Sequence, residues 1–405
     1  MTRQSGLVVE LADIFRAYGG AYGAGHRLSA VQRRAMRAIV ACRTAVLGGH
    51  LHACDACGEQ RYTYHSCRNR HCPKCQTRAK ERWLEARRRE LLATPYFHVV
   101  FTLPHQLNAL AQGNPRLIYR LLFAAASQTL LEFGANPRWL GGQIGATLIL
   151  HTWGQTLTQH IHVHALVTGG GLAAGHWRSA KRGFLFPVRA LSQVFRGKYL
   201  AALVGAFEHG HVRLAGSTTP LAEAPHRQAL LAALRAQPWV VYAKSPMAGP
   251  AQVLEYLGRY AHRVALSNER LLSMDGTAVR FRYKDYAHAS RTRVMTLEAH
   301  EFMHRFLLHV LPRHFVRIRH YGLLGNRRKG RALAQCRAAL RQPEPAPAQA
   351  PESADAFCLR IAAKDLLTCT HCGVGHMVLV QVLPAHHPPA RAPPSRDSHC
   401  RVSHP

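Results

Sequence analysis

The clearest alternation of polar and apolar side chains lies between Gly145 and Gly171. Two apolar runs, Ala146–His151 and Ile161–Val167, are joined by a short polar connection, which is typical of a β-hairpin. In the second run histidines alternate with aliphatic residues, in the order His160, Ile161, His162, Val163, His164 and Ala165. Because a strand has a period of two, the imidazoles should line one face and the aliphatic side chains the other. Such a strand could hold a metal, although ordinary surface histidines in a chain with 28 of them fit the pattern as well.

Elsewhere, apolar residues at helical spacing predict helices, and short β-branched or aromatic runs predict strands. The predicted helices are Leu7–Ala17, Ser29–Arg43, Thr77–Leu92, Pro115–Phe133, Val188–Glu208, Leu221–Ala236, Thr296–Leu311 and Asn326–Arg341. The predicted strands are Phe97–Leu103, Trp239–Ala243 and Phe315–His320, with a second hairpin over Arg270–Tyr283 that turns at Asp275-Gly276.

The charge balance of the chain is unusual. Its 53 Lys and Arg residues against 21 Asp and Glu residues give a net charge of +32. A GC-rich genome explains many arginines but not the missing carboxylates, so most of the positive charge needs an external polyanion, first of all nucleic acid. We find no apolar run that could span a bilayer and no secretory pattern, and therefore expect a cytoplasmic protein.

Two C-x2-C knuckles, fourteen residues apart, lie in the polar segment His50–Gln76. At this spacing four thiolates can surround one tetrahedral Zn²⁺, with Cys54, Cys57, Cys72 and Cys75 as ligands. Metal-free structural cysteines are the weaker alternative, because the segment is too polar to fold on a core. Spare ligands for an exchange or a second site are His50, His52, Cys67 and His71.

Basic side chains surround these knuckles and suggest that the module also contacts phosphates. They are Arg61, Arg68, Arg70, Lys74 and Arg78. The basic helix Thr77–Leu92 that follows fits a solvated linker and a DNA-contacting helix equally well.

A third motif lies at Gln252–Leu271, where Tyr256 and Tyr260 stand four residues apart in a helical pattern. Both hydroxyl groups can therefore project from one face of a helix. Three basic residues surround the pair: Arg259, His262 and Arg263. For a lone tyrosine pair, packing on an amphipathic helix would be the ordinary interpretation.

The carboxy-terminal part begins with a Pro/Ala linker, Gln342–Ser353, followed by a single knuckle, Cys369 and Cys372. Cys358 and His376 could complete a site there, but an incomplete knuckle fits the sequence as well as a working one. The tail from Pro384 is rich in Pro, His and Arg, and we expect it to be disordered.

Three features occur in one order: the ribbon HAC-DACG…SCRNRHCPKCQ, the strand HIHVHALVTGGG and the helix EYLGRYAHRVALSN. Together, over roughly residues 30 to 330, they closely resemble the transposases of the insertion-sequence-91 family, which are two-tyrosine members of the HUH endonuclease superfamily. His162 and His164 correspond to the HUH histidines, and Tyr256 and Tyr260 to the tyrosine pair. Ile161 departs from the family pattern, in which many relatives carry Pro; this affects the entry of the strand more than its chemistry.

The resemblance implies an α+β fold, with an antiparallel-sheet HUH nuclease core of the ferredoxin/RRM-like kind behind a small zinc ribbon. The expected domains are a helical lead-in (1–46), the ribbon with its basic linker helix (47–94), the catalytic domain (95–330), a basic helix with the Pro/Ala linker (331–353), and the carboxy-terminal knuckle with its tail (354–405). We expect a bacterial, nucleoid-associated enzyme.

The expected chemistry is the attack of a tyrosine hydroxyl on DNA, giving a 5′-phosphotyrosine and a free 3′-OH in rolling-circle transposition. His162, His164 and a third ligand would hold the metal, with Gln155 as first choice and His151 or His160 as alternatives. Imidazole ligands alone suit Zn²⁺ or Mn²⁺, whereas the resemblance implies Mg²⁺ or Mn²⁺. We find no P-loop, so no ATP is expected.

The expected partners are single-stranded DNA and the hairpin ends of a mobile element, with no membrane. The basic residues expected at the DNA are Arg68, Arg70, Lys74, Arg259, Arg263 and Lys284. Two other functions fit parts of the pattern: an HUH replication initiator or relaxase, and a non-catalytic zinc-ribbon DNA-binding regulator.

Overall fold

A computed structural model describes residues 9–181, 183, 185–247, 249–262, 264–286, 288–347, 352–363 and 365–386. The chain divides into two compact units. The larger unit is formed by residues 1–39 and 68–350, and the smaller by residues 40–67 and 351–405. The tail expected to be disordered from Pro384 lies, from residue 387 onwards, outside the described residues.

Helices and strands are interspersed along the described part of the chain. The α-helices are α1 (Leu11–Gly25), α2 (Ala30–Ala41), α3 (Gln76–Arg88), α4 (Asn108–Gly113), α5 (Pro115–Ala135), α6 (Val188–Glu208), α7 (Ala224–Ala236), α8 (Pro250–Tyr260), α9 (Ala299–Leu307), α10 (Lys329–Leu340) and α11 (Ala354–Ala362). Short 3₁₀ turns occur at Ala45–Leu47, His105–Leu107, Gly216–Ala222 and Asn268–Arg270. The strands are β1 (Gly49–Cys54), β2 (Gln60–Tyr64), β3 (Tyr96–Thr102), β4 (Gly145–Trp153), β5 (Gln159–Thr168), β6 (Gly170–Ala173), β7 (His176–Ser179), β8 (Val241–Met247), β9 (Leu271–Asp275), β10 (Ala278–Asp285), β11 (Arg291–Glu298), β12 (Ile318–Gly322) and β13 (Met377–Leu383).

The larger unit is built on a five-stranded sheet with the order β12-β4-β5-β3-β8. Every neighbouring pair in it is antiparallel. The β4–β5 hairpin predicted from the apolar runs forms two adjacent inner strands of this sheet. With helices on both sides of an antiparallel sheet, the predicted α+β fold class is confirmed.

The two faces of the sheet differ in the way that the alternation predicts. On one face Val163 of β5 and Phe101 of β3 are fully buried in the main apolar core. Helices α5 and α6 contribute to the same core, for example through Phe123 and Phe195. The opposite face carries the histidines of β5. The period of two therefore places their imidazoles on the side of the sheet that faces away from the main apolar core.

Helix α8 covers this second face. Its Val253 and Leu257 are buried in a small cluster with Tyr96, Ile149 and Leu166 of the sheet. Helix α3, the predicted basic helix, adds Trp83 and Leu84 to the cluster and lies against α8. Its apolar side thus faces protein, while Arg82 and Arg88 remain exposed.

A second sheet, in the order β11-β10-β9, contains the hairpin predicted to turn at Asp275-Gly276. The helix predicted over Thr296–Leu311 was wrong in its start, because β11 continues to Glu298 and α9 begins at Ala299. Thr296 pairs with β10, a tertiary contact that helical periodicity does not register. The Glu298 side chain accepts hydrogen bonds from the N–H groups of His300 and Glu301, which fixes the start of the helix.

The smaller unit contains a three-stranded sheet in the order β13-β1-β2. Its first two strands come from the segment after α2, whereas β13 comes from the carboxy-terminal part of the chain. Strand β13 runs antiparallel to β1 along the whole of β1, from Gly49 to Cys54.

Among the described residues, no helix combines the length and the apolar character that a membrane crossing would require.

Candidate functional site

Three histidines converge on the face of the central sheet that α8 covers. His162 and His164 lie two residues apart on β5, and His151 on β4 stands directly opposite His162. All three side chains are buried, and one ring nitrogen from each lies within 4.8 Å of the others. We call this group the histidine triad.

In two members of the histidine triad, one ring nitrogen is engaged by a backbone carbonyl. His162 Nδ1 donates to the carbonyl of His160 at 2.8 Å, and His151 Nε2 donates to the carbonyl of Tyr260 at 2.9 Å. A carbonyl only accepts, so each bond fixes the tautomer and leaves the other nitrogen as an acceptor. Metal-bound histidines are commonly held in this way.

The geometry of the triad fits a divalent cation. His162 Nε2 and His164 Nε2 are 3.1 Å apart. Nitrogen ligands about 2.1 Å from one ion are separated by roughly 3.0–3.4 Å in octahedral or tetrahedral geometry. The triad contains no carboxylate, so its donor set suits Mn²⁺ or Zn²⁺ better than Mg²⁺.

The structure brings His151, one of the predicted alternatives to Gln155 as third ligand, together with His162 and His164. Strand β4 ends at Trp153, so Gln155 lies in the turn before β5 and not on the facing strand. Its amide nitrogen is 3.4 Å from Tyr286 Oη, and its amide oxygen is 3.4 Å from the backbone nitrogen of Lys284. His160, the other alternative, is exposed and is not a member of the triad.

Both tyrosines of the sequence motif lie beside the triad. Tyr256 and Tyr260 are one helical turn apart on α8, with ring centroids separated by 4.6 Å. Tyr256 Oη is 3.4 Å from His164 Nδ1, and the Tyr260 ring centroid is 4.3 Å from that of His164. Burial, reinforced by Tyr260, raises the pKa of the Tyr256 phenol well above its ordinary value, so the phenol is neutral at physiological pH.

A fourth histidine, His98, was not recognised in the sequence. It lies on β3, is 3% exposed, and its Nε2 is 3.0 Å from His164 Nδ1. Burial, together with the charge of Lys244, lowers the pKa of His98 to about 3, so its ring is neutral. Its position could have been inferred, since in the run Tyr96–Thr102 it alternates with Phe97 and Val99 and therefore lies on the non-core face.

The basic residues predicted to contact DNA differ in their exposure and in their protein partners. Lys74 forms an ion pair with Glu10, and half-buried Arg70 donates to the carbonyl of Phe315 at 2.6 Å. These two cations have protein partners, and their contact with DNA stays a prediction. Arg68, Arg78 and Lys284 have exposed side chains. Arg263 and the side chain of Arg259 lie outside the described residues.

The cysteines are grouped differently from the predicted ribbon. In the smaller unit Cys54 and Cys57 meet Cys369 and Cys372, with all four sulfur atoms within 4.8 Å of one another. In this cysteine cluster Cys54 and Cys57 lie with Cys369 and Cys372, whereas the predicted ribbon grouped them with Cys72 and Cys75. The residues proposed to complete the carboxy-terminal knuckle, Cys358 and His376, are not members of it.

The predicted spare ligands are also placed. Cys72 and Cys75 belong to the larger unit, in the turn before α3, and their zinc role stays a prediction. His71 Nε2 accepts from the backbone N–H of Leu311 at 3.3 Å, and burial lowers the pKa of His71 to about 3. His50 and His52 lie on β1, and Cys67 closes the first segment of the smaller unit; all three are outside the cysteine cluster.

Comparison with known proteins places these features in a family. The family model described as "Putative transposase" matches residues 145–331, and the model "Transposase zinc-binding domain" matches residues 14–103. No solved structure gives a significant match. The "Putative transposase y4qJ" of Sinorhizobium fredii is 50% identical over 378 residues, which cover 92% of this chain and 95% of that protein. The "Transposase for insertion sequence element IS801" of Pseudomonas savastanoi pv. phaseolicola is 30% identical over 320 residues, or 76% of this chain and 74% of that protein. With this extent of similarity to whole transposases, the chain belongs to the insertion-sequence-91 transposase family and carries its amino-terminal zinc-binding domain.

Proposed function

We propose that this transposase cuts and rejoins single-stranded DNA through a 5′-phosphotyrosine intermediate during rolling-circle transposition, as a two-tyrosine HUH endonuclease. The observation that carries the proposal is the placement of two tyrosines against the histidine triad, with Tyr256 Oη 3.4 Å from His164 Nδ1. The proposed catalytic domain spans residues 95–330.

The triad provides the proposed metal site. His151, His162 and His164 would hold a divalent cation, Mn²⁺ or Mg²⁺, which supplies Lewis acidity at the scissile phosphodiester when bound. Backbone carbonyls orient two of the three rings, and His98 orients the third through its bond to His164 Nδ1. His98 is therefore proposed as a positioning residue.

The tyrosines are the proposed nucleophiles. A phenolic oxygen attacks the phosphorus, so that a bond forms from tyrosine to the 5′-phosphate while the bond from phosphorus to the 3′ oxygen breaks. The phenolic proton passes to solvent, and the departing 3′ oxygen takes up a proton to become a free 3′-OH. One phosphoester replaces another, so the reaction needs no ATP, and a 3′-OH can later attack the phosphotyrosine to rejoin the DNA.

The paired arrangement explains why two tyrosines are useful. With ring centroids 4.6 Å apart, Tyr256 and Tyr260 share one triad. One tyrosine can hold the 5′ end of a cut strand while the other attacks a second strand. This division of labour is what transfer between donor and target requires.

Single-stranded DNA and hairpin ends are the proposed partners. The net charge of +32 leaves many cations without a carboxylate partner, and each neutralised phosphate releases counterions. Binding should therefore weaken steeply as salt rises. A single strand exposes its phosphodiesters to the triad better than a duplex does.

The test is a cleavage assay with single-stranded oligonucleotides that carry the ends of the flanking element, in Mn²⁺ or Mg²⁺. We expect a covalent protein–DNA adduct that survives a denaturing gel, and its loss with EDTA. DNA binding without any adduct would favour the non-catalytic zinc-ribbon regulator. Nicking at a replication origin, with no transfer of element ends, would favour a replication initiator or relaxase.

A further inference from the structure

We propose that Cys369 and Cys372 complete a structural zinc site with Cys54 and Cys57, which makes the carboxy-terminal segment an integral part of the zinc-binding unit. The two matching family models end at residues 103 and 331, so neither includes this second knuckle. The inference concerns metal binding and folding and is independent of the proposed DNA chemistry.

The sulfur positions carry the argument. Cys54 Sγ lies 3.7 Å from Cys372 Sγ, and Cys57 Sγ lies 3.8 Å from Cys369 Sγ. Four thiolates bound tetrahedrally at a Zn–S distance of about 2.3 Å have sulfur atoms about 3.8 Å apart. A disulfide would need about 2.05 Å, so the spacing fits a shared ion and not a cross-link.

The two knuckles repeat one backbone design. Each is a C-x-x-C-G sequence whose glycine has a positive φ, +75° at Gly58 and +73° at Gly373. In each, the glycine N–H donates to the carbonyl of the first cysteine at 3.0 Å, Cys54 in one knuckle and Cys369 in the other. Two copies of the same turn, facing each other, form the two halves of a tetrathiolate site.

Backbone N–H groups also point at the sulfur atoms. The N–H of Cys57 donates to Cys54 Sγ at 3.5 Å, and that of Gly375 donates to Cys372 Sγ at 3.4 Å. A Cβ at position 375 would collide with Cys54 Sγ, so the approach of the two knuckles requires glycine there.

Apart from the pairing of β13 with β1, few buried apolar contacts join the two segments among the described residues. The buried apolar cluster there consists of Cys54, Cys369 and Met377. Most apolar side chains of β13, such as Leu379 and Val382, are exposed. Asp55 and His376 exchange two hydrogen bonds beside the cluster, of 3.0 and 2.7 Å. With so few buried apolar side chains, zinc bound at the proposed site would supply part of the folding energy of the unit.

The test is the zinc content of the full-length protein, measured by mass spectrometry of the metal after gel filtration. Cys54→Ser/Cys57→Ser and Cys369→Ser/Cys372→Ser should each lose one equivalent of zinc. The quadruple variant should lose the same single equivalent, because both pairs serve one ion. Cys358→Ser, which removes a cysteine of the same segment outside the cluster, is the control and should keep all the zinc.

A second measurement is independent of metal counting. In native protein Cys54 and Cys57 should resist alkylation by N-ethylmaleimide, and Cys369→Ser/Cys372→Ser should expose both to it at least tenfold faster. Full zinc content in that variant, or a loss of two equivalents in the quadruple variant, would overturn the shared site. Alkylation of Cys54 and Cys57 at the native rate in Cys369→Ser/Cys372→Ser would also overturn the shared site.

Discussion

Each histidine of the triad has two ring nitrogens, and its role follows from which nitrogen is already engaged. His162 and His151 each give one N–H to a backbone carbonyl. His164 instead has its Nδ1 beside two side chains, His98 Nε2 at 3.0 Å and Tyr256 Oη at 3.4 Å. His164 thus links the proposed metal site to Tyr256, a proposed nucleophile.

Removing the two phenolic hydroxyls tests the nucleophiles at the least structural cost. Tyr256→Phe and Tyr260→Phe keep the ring packing with His164, so each single variant should still cleave but fail to complete strand transfer. The double variant should give no covalent adduct on a denaturing gel. Tyr283→Phe, on β10, is the control and should cleave normally. An adduct in the double variant would move the nucleophile elsewhere, with Tyr283 and Tyr286 next to examine.

Replacing His98 tests its positioning role. His98→Ala should raise the Mn²⁺ concentration needed for half-maximal cleavage about 10- to 100-fold, because His164 loses the partner that orients its ring. His98→Gln keeps a hydrogen-bonding group and should recover part of the affinity. His160→Ala is the control: it keeps the backbone carbonyl that accepts from His162 Nδ1 and loses only a ring contact with His162, at a centroid distance of 4.8 Å. An unchanged Mn²⁺ requirement in His98→Ala would show that His98 packs beside His164 without orienting it for metal binding.

At the scale of elements, helix α8 carries both tyrosines, and the central sheet and helix α3 fix the position of α8. The sheet holds it through Val253 and Leu257, and α3 holds it through Trp83 and Leu84. The fit is close, because a Cβ at Gly258 would lie 3.2 Å from Leu84 Cδ1. Helix α3, the predicted basic helix, is therefore part of the scaffold of the candidate site.

Shortening Trp83 tests this scaffold. Trp83→Ala removes a half-buried indole from the α3–α8 contact and should cost about 2 kcal/mol of stability. Cleavage should fall about tenfold through misplacement of the tyrosines, with an unchanged Mn²⁺ requirement. The control is Arg82→Ala, which alters an exposed position of the same helix. Normal cleavage by a destabilised Trp83→Ala protein would show that α3 does not position α8.

At the scale of the whole molecule, a strongly basic protein also buries neutral imidazoles. His309 is 2% exposed; its Nε2 donates to the carbonyl of Leu157 at 2.9 Å, and its Nδ1 lies 3.2 Å from Thr152 Oγ1. Burial lowers the pKa of His309 to about 4. Below pH 6.5 the imidazole of His309 is protonated in the unfolded chain but stays neutral in the folded protein. The free energy of unfolding therefore falls as the pH drops from about 6.5 towards 4.

This linkage is measurable by urea unfolding. The free energy of unfolding should be about 2 kcal/mol lower at pH 5 than at pH 7 because of His309 alone. His309→Gln removes that titration, so its loss of stability between pH 7 and pH 5 should be smaller by about 2 kcal/mol. His105→Gln changes an exposed imidazole and should leave the pH dependence as it is. Equal losses in the wild-type protein and in His309→Gln would contradict a neutral, buried His309.

Local pattern determined much of this molecule. The period of two in β5 separated the histidines from the core, and the spacing of four placed both tyrosines on one side of α8, because both patterns depend only on backbone geometry. The positive charge and the three motifs together indicated the family, which the comparisons confirm.

What only the tertiary structure decided are contacts between residues far apart in the chain. His151 became the third member of the triad because the β4–β5 register puts it opposite His162. His98 joined them because β3 lies beside β5. Cys54 and Cys57 found Cys369 and Cys372, more than 300 residues away, because β13 pairs with β1. Spacing along the chain decides on which face of a helix or strand a side chain lies, whereas strand pairing decides which side chains from distant parts of the chain meet.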